Sequence, residues 1–500
     1  MSGHPAQRVV VIGGGLAGIR AAIGLRDAGV AVTLVEARPR LGGAASSFAR
    51  GEMTIDNGQH VFLRCCTSYQ ELLERLGATG LVNVQERFDV TVLSPRGTAR
   101  LRRTALPGPL HFGKALAGYR LLSLPERIKV ARAALAMRFL NPADPALDET
   151  SLGDWLAARS QNEAARRLMW DLFIVSALNI AGDDASLPLS ATVIKMALLG
   201  QRGAADIGIA NVPLGDVHGR AAAELLARLD AQVMYGSRAA AIEPLPGGRF
   251  LVNIEPAAGG SRLADGNGQH SVAEVSELEA DGVVLAVPAG AAARLAGQAG
   301  ISDAGRWDAL GYSPIVNVHV IYDRQVTSLP FAAAVESPVQ WVFDKTRQAG
   351  LAAGQYLAVS LSAADSYVDV PAASLREQFL PALEQLFPAA AGARVTDFFV
   401  TRERRATFRQ SPGIGAIRPG TATSVPGLVL AGAWTDTGWP DTMEGAVRSG
   451  QHAAERLIEE LRQGPPAHRG APGCRPPGLT QAEAGGVPEG TKPAEAKAAS

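Results

Sequence analysis

Apolar residues along the chain fall into runs that predict alternating strands and helices. Val9 to Ile12 is a continuous apolar run halted by a glycine cluster, as a strand buried on both faces is. Leu16 to Ala28 reads as a helix ending at Gly29, and a second strand, Val30 to Val35, stops at Glu36. Thr67-x-x-Gln70 resembles a capping box that opens a short helix reaching Leu76. Leu106 to Leu140 is apolar, interrupted by Arg and Lys, and lacks strand alternation, which predicts helix; Ser151-x-x-Asp154 caps further helical sequence up to Leu199. The pattern changes near Asn211. A helix over 220–229 is followed by strands at 232–234, 238–243, 250–254 and 282–287, then at 315–322, 340–343, 356–361 and 395–402, with a last buried strand within 427–432. Residues 256–280 read as a polar hairpin tip or loop. The Pro-, Gly- and Ala-rich sequence after Gly464 has no hydrophobic period and is expected to be a disordered tail.

The opening strand, glycine cluster, helix and second strand form a βαβ unit that frames Gly13-x-Gly15-x-x-Gly18. Gly13 permits the tight turn, Gly15 lets a pyrophosphate approach the backbone, and Gly18 lets helix and strand pack closely. The helix start offers free N–H groups and partial positive charge to phosphates. Glu36, at the end of the second strand, can accept from both hydroxyls of a ribose and would repel a 2′-phosphate, which disfavours NADP. The fingerprint by itself does not separate NAD from FAD.

Five hundred residues exceed one ordinary core, so two structural domains are expected. With 48 basic and 48 acidic residues the net charge is zero, which gives no basis for nucleic-acid binding. Cys65, Cys66 and Cys474 make neither a disulfide framework nor a metal site and read as reduced thiols of a cytoplasmic protein. Only Met1 to Arg8 precede the first strand, without the apolar stretch of a signal peptide. No apolar run reaches the roughly 20 residues that span a bilayer.

Two further segments resemble the amine oxidase and phytoene desaturase flavoproteins. Glu36-Ala37-Arg38-Pro39-Arg40-Leu41-Gly42-Gly43 matches their extended N-terminal motif, and LVLAGAWTDTGWPDTMEGAVRSGQHAAERL matches their C-terminal flavin motif. The resemblance implies FAD, with Ala37, Arg40, Gly42 and Gly43 along the pyrophosphate and flavin. Gly432 would end a strand at the cofactor, Glu444-Gly445-Ala446 would open a helix under the flavin, and the backbone near Ala239 would meet the adenine. Many relatives carry Asp where this chain has Ala433. The fold implied is α/β: a discontinuous Rossmann-type FAD-binding domain (1–75, 205–300 and 420–463). Residues 76–204 and 301–419 would form an α+β substrate-binding domain with a helical lid or membrane-facing region.

Within that superfamily, DNGQHVFLRCCTSYQELLERLG, NVPLGDVHGRAAAELLARLDAQV and AGAWTDTGWPDTMEGAVRSG are similar to the squalene-associated flavoproteins of bacterial hopanoid synthesis. This implies replacement of the hydroxyl of hydroxysqualene by hydrogen, through an allylic cation that takes hydride from reduced FAD. Asp56, His60 and Asp441 are candidate acids, with Asp436 and Glu444 nearby in sequence; Gln59 and Trp439 are candidate substrate-lining residues. Asp56 could equally be a turn acceptor, Asp441 a helix N-cap and Trp439 a packed aromatic; His218 and His319 read as structural. A C30 substrate also implies peripheral contact with the inner face of the cytoplasmic membrane through residues 106–140, where Lys114, Arg120, Arg127, Lys129, Arg132 and Arg138 interrupt the apolar sequence. With one dinucleotide fingerprint, the reductant of FAD is expected to be external. The alternatives are an oxidising desaturase or amine oxidase and, in another class, a non-catalytic prenyl carrier.

Overall fold

The computed structural model describes residues 7–257 and 276–463. The tail expected after Gly464 lies outside them, with Cys474; so does most of the expected hairpin tip, which is flanked by the paired strands Arg249–Pro256 and Ser276–Ala280.

Strand Arg8–Ile12 sits at the centre of a five-stranded parallel sheet, between Ala31–Val35 and Gly282–Leu285, with Gln232–Met234 and Leu428–Leu430 at the two edges. Its side chains explain the unbroken apolar run. Val9 and Val11 pack into one core and Val10 and Ile12 into another, so neither face meets water. Helix Leu16–Asp27 lies on the Val9 side with Ile19, Ala22, Ile23 and Leu25 buried. Against it packs the long C-terminal helix Met443–Gln463. Small residues set their closeness: a side chain on Gly450 would come within 2.1 Å of the Ala17 carbonyl oxygen.

A second, seven-stranded sheet runs in the order Val395–Thr407, Ser313–Tyr322, Gln355–Leu361, Trp341–Asp344, Phe331–Ala334, Asp89–Ser94 and Gly97–Arg102. Helix Ala372–Leu386 covers one face of it through Leu375, Phe379 and Leu383. The five parallel strands come from 8–35, 232–285 and 428–430, and these seven from 89–102 and 313–407. We propose on this topology that the two sheets mark two discontinuous domains, the first built around the glycine motif.

Most expected elements form within a few residues of their sequence positions, with two differences. The stretch 106–140 is not one helical run: a short 3₁₀ turn, Leu110–Phe112, precedes helices Gly113–Ala117 and Leu124–Met137. Helix Thr67–Arg75 forms, but no capping box opens it. Gln70 turns back to the carbonyls of Arg64 and Cys66, and the free N–H groups are satisfied from far along the chain.

Candidate active site

The glycine motif has the geometry its spacing requires. Gly13 adopts φ +109°, and a β-carbon there would lie 2.3 Å from the Ala286 carbonyl oxygen. At Gly18 a β-carbon would stand 1.8 Å from the carbonyl oxygen of Gly13, so helix and turn meet backbone to backbone. Gly15, by contrast, opens on space: the nearest atom to a β-carbon there is the Gly43 Cα, 3.9 Å away. Gly42 donates its N–H to the Gly14 carbonyl at 2.9 Å, holding the 42–43 turn against the motif. The first turn of helix Leu16–Asp27 has no side-chain cap. A backbone-lined slot with uncapped donors results, and it fits a pyrophosphate.

Glu36 is buried at the rim of this slot. One carboxylate oxygen accepts from Gly14 N–H at 2.6 Å and the other from Arg38 N–H at 2.7 Å. Each oxygen retains a lone pair for a ribose hydroxyl. Arg38, which sequence reasoning passed over, donates to the Gly43 carbonyl at 2.9 Å across the turn; like Ala37 and Arg40 it is exposed. Backbone bonds from Glu36 to Met234 and Ser237 bring the start of the Ala239 strand alongside, with Ala239 itself buried.

At the C-terminal motif Gly432 donates its N–H to Ser449 Oγ at 2.8 Å. Arg418, unforeseen in the sequence, is buried and donates to the carbonyls of Ala433 (3.2 Å), Trp434 (3.3 Å), Thr435 (2.5 Å) and Trp439 (2.9 Å). One guanidinium thus shapes the loop 433–439, including the position where relatives carry Asp. The expected role of Glu444 needs correction at its side chain. Its carboxylate accepts from the N–H groups of Ser68 (3.2 Å) and Tyr69 (2.8 Å) and pairs with Arg448 at 2.7 Å. It is therefore the cap that helix Thr67–Arg75 otherwise lacks, while the N–H groups of Gly445 and Ala446 close on Thr442. Arg448 also lies 4.7 Å from the Trp439 ring centre, covering one face of that indole.

The three candidate acids separate. Asp56 is buried and receives four donors: Ser47 Oγ (2.7 Å), Leu214 N–H (2.9 Å), Gln348 Nε2 (2.7 Å) and Lys345 Nζ (3.2 Å). It joins the 47–56 hairpin to distant segments and has no position left from which to give a proton, which corrects its candidacy as a catalyst. Replacing Asp56 by alanine should strand the buried Lys345 ammonium and cost about 3–5 kcal/mol of stability in denaturant unfolding. An unchanged unfolding midpoint would contradict that scaffold role. His60 donates through Nδ1 to the Gly58 carbonyl at 3.2 Å, and burial lowers its pKa, so the ring is neutral near pH 7 and a poor acid. Asp441 behaves in the opposite sense. Burial raises its carboxyl to about 6, although the Phe408 N–H donates to Oδ2 at 2.8 Å. It does not cap the C-terminal helix, because Thr442 Oγ1 takes that place by accepting from Gly445 N–H.

Gln59 Nε2 and Asn317 Oδ1 are buried polar atoms without partners among the described residues, both at the 57–60 loop. Asn317 was findable as a polar residue inside the apolar strand Ser313–Tyr322. His218 bonds Tyr69 at 2.7 Å, and His319 lies between Tyr356 and Thr401; burial pulls both down to about 3, as befits neutral structural imidazoles. Cys65 and Cys66 are free thiols, and no His, Cys, Asp and Glu cluster among the described residues could hold a metal.

The glycine cradle, the ribose carboxylate and the C-terminal helix define a flavin-dependent oxidoreductase. The family of flavin containing amine oxidoreductases matches residues 16–458, and the chain belongs to it. Its cofactor is FAD, which sets aside the non-catalytic carrier. Among curated relatives it is similar to the hydroxysqualene dehydroxylases of Rhodopseudomonas palustris (29% identity over 478 residues, 90% of this chain and 98% of the relative) and Sinorhizobium fredii (29% over 463, 91% and 99%). It is also similar to the zeta-carotene desaturase of Synechocystis (24% over 494, 90% and 97%). The solved cyclohexylamine oxidase of Brevibacterium oxydans shares the fold, with TM-score 0.67 at 20% identity over 92% of this chain and all of that one.

Proposed function

We propose that this chain reduces hydroxysqualene to squalene, with an external donor supplying the electrons. The supporting observation is its similarity, over nine-tenths of the chain, to two hydroxysqualene dehydroxylases, joined to a half-buried carboxyl of raised pKa in the C-terminal flavin motif. When bound at the glycine cradle, reduced FAD would supply the hydride for the new C–H bond, its electrons coming from the external donor. Asp441 gives its proton to the leaving hydroxyl, so that the C–O bond breaks with water as the leaving group. Its Oδ2 is fixed by the Phe408 N–H, and Oδ1, with no partner among the described residues, is left to carry that proton. Gln59 and Trp439 would line the site: Gln59 Nε2, without a partner among the described residues, orients the hydroxyl, and the π density of the Trp439 indole stabilises the allylic cation. Arg418 positions these groups by holding the loop from which Trp439 projects.

A second reading, an oxidising desaturase, is favoured by the similarity to the zeta-carotene desaturase. Anaerobic single turnover discriminates the two. Dithionite-reduced protein mixed with hydroxysqualene should yield squalene with loss of the reduced-flavin spectrum. Unchanged hydroxysqualene, together with dehydrogenation of a carotene by the oxidised protein, would reverse the assignment.

A further inference from the structure

We propose that the surface formed by residues 106–139 docks on an anionic lipid bilayer. Nine large apolar side chains among the described residues are strongly exposed, and six of them lie in this stretch: Leu106, Leu110, Leu124, Ile128, Leu135 and Phe139, the last at 80% exposure. Isolated exposed apolar residues are ordinary, but a cluster of this kind marks a binding surface.

Helix Leu124–Met137 makes the pattern specific. Its capping box, Ser123 with Glu126, fixes its start, and Val130, Ala133 and Met137 bury one face. At 100° per residue, Leu124, Ile128, Leu135 and Phe139 share a sector of about 60° on the opposite side. An ordinary surface helix has one apolar stripe, and this one has two. Arg132 and Arg138 border the outward stripe and exposed Lys129 lies further round, whereas Glu126, the one acidic residue from Leu124 to Phe139, sits on the far side and is engaged by Ser123 and Asn162. Lys114 and Arg120 are exposed on the same stretch, and none of these five cations pairs with a carboxylate among the described residues. Beside the helix lies a depression of about 520 Å³, walled by Pro107 and Leu199 and edged by Arg138 and Arg202. Apolar walls with two guanidiniums at the rim suit a lipid phosphate.

The charge pattern selects the occupant. A two-fold contact with a second copy would set Lys129, Arg132 and Arg138 against their own images without acidic partners. An anionic bilayer satisfies both features, because the apolar stripe enters the headgroup region and the cations meet lipid phosphates. Among the described residues no helix is long and apolar enough to cross a membrane, so the contact is with one leaflet. The proposal holds whichever reaction the flavin supports.

The test is flotation of the full-length flavoprotein with vesicles of phosphatidylcholine alone or mixed with phosphatidylglycerol. The mixed vesicles should carry the protein, and the neutral ones should carry much less. Ile128→Glu with Leu135→Glu should weaken binding to the mixed vesicles about tenfold or more. Both positions are exposed, so flavin content and thermal unfolding should stay at wild-type values. Arg132→Gln with Arg138→Gln should lower binding and its salt sensitivity together. The proposal is overturned if wild-type protein ignores the mixed vesicles or if the glutamate pair binds them equally. It is also overturned if that pair instead splits a solution dimer. Vesicle binding is read without substrate, so failure of the dehydroxylation reading would leave this result standing.

Discussion

Asparagine in place of Asp441 is expected to lower kcat/KM for hydroxysqualene by about 10²- to 10⁴-fold, the range for loss of a general acid. The sign of the pH dependence follows from the environment. Burial raises the carboxyl to about 6, and only the protonated form can donate. Wild-type turnover should therefore be highest below that value and fall as pH rises through it, whereas the variant profile should be flat there. Asparagine keeps an oxygen that can accept from the Phe408 N–H, so folding and flavin content should be unaffected. A wild-type rate and an unchanged pH profile in the variant would remove Asp441 from the role of acid.

The glycine cradle supports the second large prediction, because two of its glycines fail for different reasons. Alanine at position 18 places a β-carbon 1.8 Å from the Gly13 carbonyl oxygen and must push the helix off the turn. Overpacking of this kind costs about 1–3 kcal/mol, so flavin affinity should drop roughly tenfold to a hundredfold and the apoprotein should unfold more easily. Alanine at position 15 meets nothing closer than 3.9 Å, and its backbone at φ −76°, ψ 178° suits any residue. The apoprotein of Gly15→Ala should therefore be as stable as wild type yet bind FAD weakly, since only the pyrophosphate needs that space. Flavin absorbance after purification, beside unfolding of both apoproteins, separates the cases. Wild-type flavin content in Gly15→Ala would mean that the pyrophosphate passes elsewhere.

What the sequence disclosed and what it hid follow one physical division. The cradle was legible because turn, helix start and ribose carboxylate lie within thirty residues and each has a local steric or electrostatic cause. Strands within 47–102 were missed because they are short, and segments such as Asp89–Ser94 show only brief alternation. Asp56 stayed open between turn acceptor and catalyst for a different reason. Its four donors come from residues 47, 214, 345 and 348, and no local pattern reports a partner so far along the chain. Arg418 was missed because a charged residue in a loop normally points to water, and its burial appears only once the loop wraps around it. Glu444 combines both effects: the motif marked the residue, and the fold assigned its side chain to another helix.

That last link bears on the order in which the protein is made. The glycine cradle is synthesised some four hundred residues before the fifth strand of its sheet, Leu428–Leu430, and before the acid that seals the start of helix Thr67–Arg75. Cofactor capture is consequently a late event in biosynthesis, and a nascent chain stalled before Glu444 holds an open, uncapped half-site with its apolar interior still uncovered.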